Sequence, residues 1–266
     1  MNSIFKYLIR SHLFLALCSF IFLVGLQKES SLSWIYALMI SMGIIGVYNS
    51  HRLWKYGKNR LPGYMKEWTS VNKRSLYFLA IIPTIFAALL YYSFFGGNPT
   101  QDLLAVICVL ISVFYVKRLG KLSLREIPYM KVIFVILIWY FLFFVFPFMI
   151  FDSPQPWLLG FLFLLIILIP SDIKDVYFDP KDMRTIPQII GLNKSVRVIQ
   201  LIVLLSILIL SFRFEEVNNA SAWIFGFLYF LLLTFIYKKI GYKYFFVFAD
   251  FTFMLIGITA AFLRFM

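Results

Sequence analysis

Nine apolar runs, each near the length of a membrane-crossing helix, dominate this chain: 7–27, 31–50, 75–95, 102–118, 129–150, 155–171, 196–212, 219–237 and 244–265. A bilayer core asks for about 20 mostly apolar residues per helix. At that length the runs take up roughly 180 of the 266 residues. Short connections and tails remain, with no room for a soluble domain. Barrel strands would read as alternating segments of about 10 residues. These runs are apolar on both faces, so the pattern predicts an all-α integral membrane protein, a bundle of nine transmembrane helices. The composition agrees: 62% of residues are apolar and 14% charged, against roughly 45–50% and 25% in soluble domains.

Several classes drop out. Cys18 and Cys108 are the only cysteines and both sit in apolar runs, which excludes a disulfide scaffold. With only His12 and His51 beside them, a zinc cluster is excluded as well. The first run has a basic start at Lys6 and Arg10 but lacks a small-residue cleavage site, so it is expected to be a retained helix rather than a signal peptide.

The net charge of +13 first suggests nucleic acid. Its placement argues otherwise. With the N-terminus in the cytoplasm, only Lys28, Arg213 and Arg264 of the 25 Lys and Arg residues fall on the far side. Cytoplasmic connections carry the excess of Lys and Arg in membrane proteins. The surplus therefore reads as topology plus attraction to anionic membrane lipids, with no nucleic acid partner. The expected location is the cytoplasmic (inner) membrane of a bacterium. The outer connections are short and the cytoplasmic connections 51–74 and 172–195 are long and polar, so function is expected on the cytoplasmic side.

The sharpest polar cluster is Ser171-Asp172-Ile173-Lys174-Asp175-Val176-Tyr177-Phe178-Asp179-Pro180. Asp172, Asp175 and Asp179 are spaced i, i+3, i+7, which places them within about 60° of one another on a helix. Three carboxylates on one face need an offsetting positive charge. A divalent cation is one candidate, because Mg²⁺ takes oxygen ligands and joins carboxylates to a substrate phosphate. The plainer reading makes Asp172 and Asp175 helix-capping acids and Asp179-Pro180 a helix stop, or pairs the acids with the surrounding Lys and Arg. An EF-hand is excluded, since the central Gly and closing Glu are missing.

The second cluster, Tyr48-Asn49-Ser50-His51-Arg52-Leu53-Trp54-Lys55-Tyr56-Gly57, contains no acid. Arg forks match phosphate oxygens and Lys adds point charge. Lys and aromatic residues here equally suit a stretch lying on lipid headgroups.

The run Asp172-Ile-Lys-Asp175-Val-Tyr-Phe-Asp179, followed by Arg184-Thr185-Ile186-Pro187 and Gly191, resembles the second motif of the UbiA-type intramembrane prenyltransferases: DxxDxxxD, a Thr-hydrophobic-Pro step and a Gly. Asn49 stands at the Asn of that family's first motif, NDxxDxxxD, but Ser50, Leu53 and Gly57 occupy its three Asp positions. Tyr115, Lys117 and Arg118 resemble a shortened Tyr…Lys-Arg element. The resemblance implies one nine-helix domain over 1–266 with the N-terminus inside. It also implies Mg²⁺ as cofactor and a prenyl diphosphate ionised to an allylic cation that a lipophilic acceptor attacks. Asp172, Asp175 and Asp179 are then the metal-binding, catalytic acids. Asn49, Arg52, Lys55, Tyr115, Lys117 and Arg118 are the diphosphate-binding set, with the cations offsetting the missing acids.

Two other readings compete. One is a catalytically inactive relative that binds lipid or a partner, with Arg52 paired to Asp172 or Asp175. The other is a transporter, which needs polar residues through the bundle's depth. Asp250 is the only acid well inside a predicted span.

Overall fold

A computed structural model describes residues 3–26, 31–117, 123–151, 157–177, 179, 183–213 and 217–264. Helices are the only regular elements among them. In lipid every backbone polar group must be satisfied within its own segment, and helices do this without partners. The elements are α1 (Ser3–Arg10), α2 (Leu13–Leu26), α3 (Ser31–Gly57), α4 (Gly63–Val71), α5 (Lys73–Phe94), α6 (Pro99–Val116), α7 (Met130–Tyr140), α8 (Phe146–Phe151), α9 (Trp157–Asp175), α10 (Ile186–Ile190), α11 (Leu192–Arg213), α12 (Val217–Ile240) and α13 (Tyr242–Arg264). A 3-10 turn at Leu124–Glu126 precedes α7, and a π-helical turn at Phe141–Val145 joins α7 to α8.

Among the described residues the nine apolar runs are largely helical, with 7–27 divided between α1 and α2 and 129–150 between α7, the π turn and α8. Among the described residues seven spans are long and apolar enough to cross a membrane, and an eighth if α1 and α2 count as one bent span. The remaining run lies on α9, whose last turns carry Asp172, Lys174 and Asp175.

The structure departs from the apolar pattern in three places. One helix is expected over 7–27, but the chain bends by 67° between α1 and α2. The Ser11 hydroxyl donates to the Tyr7 carbonyl at 2.7 Å, a local bond that competes with the helix ladder, and His12 adopts φ 60°. Asn49 Nδ2 then donates to the Ser11 carbonyl at 2.8 Å. The bend lays α1 sideways, with Arg10 over the rings of Tyr64 and Trp68. The second departure is in the connection 51–74, where α3 continues to Gly57 and α4 follows. The third is the π turn inside the run 129–150. Such turns leave backbone groups to be satisfied from outside the helix. Here the Tyr36 hydroxyl donates to the Leu142 carbonyl at 2.6 Å.

The core is aromatic. The Phe22 ring centroid lies 5.1 Å from Phe253, 5.4 Å from Phe163, 5.7 Å from Phe143 and 5.9 Å from Trp223, and all five side chains are buried. Edge-to-face and offset pairs of this kind each add about 0.5–1.5 kcal/mol beyond area burial. They come from α2, the π turn, α9, α12 and α13, and so lock those elements together. Around them, α2 packs on α3 and α13, α3 packs on α5, and α9 packs on α7, α11 and α13.

Candidate functional site: a buried acid and base cluster at the end of α9

Pro170 lies inside α9, where it removes one rung of the helix ladder, just before the acids begin. Asp172 and Asp175 occupy the last turn of α9. The Asp179 amide donates to the Asp175 carbonyl at 2.9 Å, so the helical path holds the third acid near the first two. The capping reading of Asp172 does not survive this placement. Capping acids sit at helix starts, whereas Asp172 and Asp175 stand at the C-terminal, negative end of the helix dipole. They need cations more, not less.

The cations come from the connection before α7. Lys131 Nζ stands 2.6 Å from Asp172 Oδ1, 2.6 Å from Asp179 Oδ2 and 3.6 Å from Asp175 Oδ2. Arg125 donates to Asp179 Oδ1 and lies 3.8 Å from Asp175 Oδ2. Lys174 Nζ lies 3.6 Å from Asp175 Oδ1 and over the Phe246 ring. The side chains of Lys131, Asp172 and Asp179 are only 8%, 4% and 5% exposed. Burial disfavours the Arg125 cation, but Tyr115, Asp179 and Asp175 outweigh that and raise its pKa above the ordinary guanidinium value.

Local backbone features deliver these side chains. The Ser123 amide donates to Glu126 Oε2 at 2.9 Å, which closes the 3-10 turn carrying Arg125. Tyr129 takes φ 65°, and its amide donates to the Met183 carbonyl at 3.0 Å. That bond ties the start of α7, and with it Lys131, to the segment after the acids. The Thr-Ile-Pro step has a matching role. The Thr185 amide donates to Gln188 Oε1 at 2.9 Å, and Gln188 Nε2 donates to the Asp179 carbonyl at 3.1 Å. Pro187 in the first turn of α10 lacks an N–H that would otherwise need a partner. Gly191 at φ 83° turns the chain into α11. The motif spacing thus pins the third acid in place. Gln188→Ala should lower stability by about 1 kcal/mol, read as a lower thermal midpoint in a fixed detergent.

The second cluster divides. Asn49 is fully buried and spends both its Nδ2 protons, on Ser11 and on Ile45. Arg52 Nη2 bonds His12 Nε2 at 3.0 Å, and the guanidinium lies over Trp68. Both therefore look toward α1 and α4. Among the described residues the aspartates pair with Lys131, Arg125 and Lys174 rather than with Arg52. Lys55 stands in the last turn of α3, and among the described residues it forms no ion pair. Tyr115 stands in the last turn of α6, its ring 6.2 Å from that of His51. Lys117 is exposed just beyond α6, and Arg118 lies outside the described residues. Asp250 is half-buried in α13. Arg125 and Lys131 are the partners that sequence reading missed. They stand 54 and 48 residues from Asp179, and their only signal was the basic character of 117–131.

An apolar groove of about 480 Å³ opens between α1, α2, α12 and α13, lined by Phe5, Phe14, Tyr229, Ile240, Val247, Phe248 and Phe251. It shares no residue with the charged cluster.

No protein-family model and no curated protein matches the sequence. Among solved structures, the chain is similar to a UbiA homologue from Archaeoglobus fulgidus bound to GPP and Mg²⁺, with a TM-score of 0.64 over 96% of this chain and 99% of that one. The bundle has a UbiA-like fold. At 16% identity the likeness concerns the fold alone.

Proposed function

We propose that this chain is a membrane-embedded prenyltransferase working at the cytoplasmic end of its bundle, in a bacterial inner membrane. It takes a prenyl diphosphate and moves the prenyl group to an aromatic or other lipophilic acceptor. The observation that supports this reading is the buried cluster of three aspartates and their cations at the end of α9, set in a UbiA-like fold. In the reaction the allylic C–O bond breaks and its electron pair leaves with pyrophosphate. The acceptor's electrons form the new C–C or C–heteroatom bond, and the acceptor gives up a proton.

The chain's own cations meet the leaving charge. Asp172, Asp175 and Asp179 are matched by Arg125, Lys131 and Lys174. Arg125 keeps spare donors on its fork of five N–H groups. Pre-placed cations of this kind stabilise a developing anion without reorganising. The Mg²⁺ of the sequence reading finds a donor set that does not fit it as it stands: Lys and Arg nitrogens face the carboxylates, and no group of three His, Cys, Asp or Glu among the described residues is placed to hold a metal. No step here runs through a metal.

The internal pairing of all three acids favours a second reading, a protein that binds a prenyl diphosphate without transfer. One assay separates the two. Purified protein is given farnesyl or geranylgeranyl diphosphate with a lipophilic aromatic acceptor, in Mg²⁺ and in EDTA, and pyrophosphate is measured. Release that Arg125→Lys, which keeps the charge but removes the spare donors, lowers about 10²-fold or more supports transfer. Saturable binding without release supports the second reading. Neither binding nor release overturns both.

A further inference from the structure

We propose that Lys131 is a built-in counter-ion that occupies the cation position of the aspartate cluster, so that Asp172, Asp175 and Asp179 do not take a divalent ion. The three carboxylates offer six oxygens. Asp172 Oδ1, Asp179 Oδ2 and Asp175 Oδ2 face Lys131 Nζ, Asp179 Oδ1 faces Arg125, and Asp175 Oδ1 faces Lys174. Only Asp172 Oδ2 is buried without a partner. Mg²⁺ demands near-octahedral oxygens at about 2.0–2.1 Å. Asp172 Oδ2 belongs to the carboxylate whose other oxygen already holds Lys131 at 2.6 Å, and both Asp175 oxygens stand 3.6–3.8 Å from Lys131, Arg125 or Lys174. A metal bound there would stand close to a buried ammonium with little water between them, where like charges repel strongly.

The ammonium suits the position. It is a compact charge with three donors and no acceptor, and it reaches all three acids at once. Its stem is fixed because Lys131 is the second residue of α7, and the preceding Tyr129 is bonded to Met183 on the far side of the acids. The lysine thus supplies, in tethered form, one positive charge shared among three carboxylates on one helix face, and Arg125 and Lys174 supply the others. The absence of acids at Ser50, Leu53 and Gly57 accords with this, since no second acid set faces the cluster from α3. The inference rests on side-chain geometry and stands apart from the question of catalysis.

The test uses the full chain in an uncharged detergent, titrated with Mn²⁺ and followed by the electron paramagnetic resonance signal of the free ion. Asp175→Asn sets the background of surface binding. Wild-type protein should take up no more Mn²⁺ than Asp175→Asn does. Lys131→Met should gain a saturable site, roughly ten- to hundredfold tighter than that background, and Lys131→Met/Asp175→Asn should lose it. Wild-type uptake that Asp175→Asn removes overturns the proposal. So does a Lys131→Met protein that elutes normally yet binds no Mn²⁺. If Lys131→Met does not fold, the comparison of wild type with Asp175→Asn still decides. Absence of pyrophosphate release in the transfer assay leaves each of these outcomes unchanged.

Discussion

Asp179→Ala should destabilise the protein by on the order of 3–5 kcal/mol, because it strips a buried acceptor from one buried and one half-buried cation. Asp179 accepts from Lys131 at 2.6 Å and from Arg125, and its side chain is 5% exposed. Among the described residues its loss leaves Arg125 with the 3.8 Å contact to Asp175 as its one ion pair. The direct reading is a thermal midpoint lowered by several degrees in a fixed detergent. Lys174→Ala is the contrast. That pair is 3.6 Å apart with side chains 30% and 25% exposed, and such pairs contribute about 0–1 kcal/mol. Equal effects at the two positions would show that the cluster is not buried as a unit. A double variant, Asp179→Ala with Arg125→Ala, should cost less than the sum of the singles, since partners in one charge network are coupled.

Gly257→Leu should prevent α13 from seating against α2. A Cβ at Gly257 would meet the Ile21 carbonyl oxygen at 2.3 Å, its carbon at 2.6 Å and Phe22 Cα at 2.7 Å, while a Cβ at Gly25 would meet the Gly257 oxygen at 2.0 Å. These are backbone atoms and cannot rotate aside. Within lipid, helices associate through close packing at small residues rather than through a hydrophobic drive, so a gap here is not repaired by lipid exclusion. The alanine variant should already cost about 1–3 kcal/mol, and leucine more, because Phe22 and Phe253 of the aromatic core ride on the same two helices. Gly43→Ala is the control: no atom lies within 4 Å of its added Cβ, and alanine favours helix by about 1 kcal/mol over glycine. A normal melting profile for Gly257→Leu would contradict the observed helix contact.

The acids illustrate how far local sequence reaches. Their i, i+3, i+7 spacing already puts them on one face of a helix, and the structure carries that face through to Asp179 by a single backbone bond. The Thr185-Ile186-Pro187 step is legible for the same reason, since a turn and a cap involve neighbours in the chain. Among the described residues the apolar runs are likewise largely helical, because lipid leaves the backbone no other local solution. The bend at His12 is not visible in the hydropathy of the first run; it depends on Asn49, 38 residues away, taking the Ser11 carbonyl.

What the sequence determined alone, then, is whatever depends on period and neighbourhood: helices, an acidic face at one helix end, a basic surplus, the pinning turn. Tertiary structure decided the partners. Arg52 stands in a basic stretch that suits a phosphate, yet it turns to His12 and Trp68. Lys131 and Arg125 look like ordinary membrane-flanking basic residues in the chain, and only the docking of α7 against α9 brings them among the carboxylates. Charge sign and spacing are local properties, but a salt bridge across 48 residues is a property of how helices pack, and packing is settled by the shapes of the aromatic core and the glycine contacts rather than by the charges themselves.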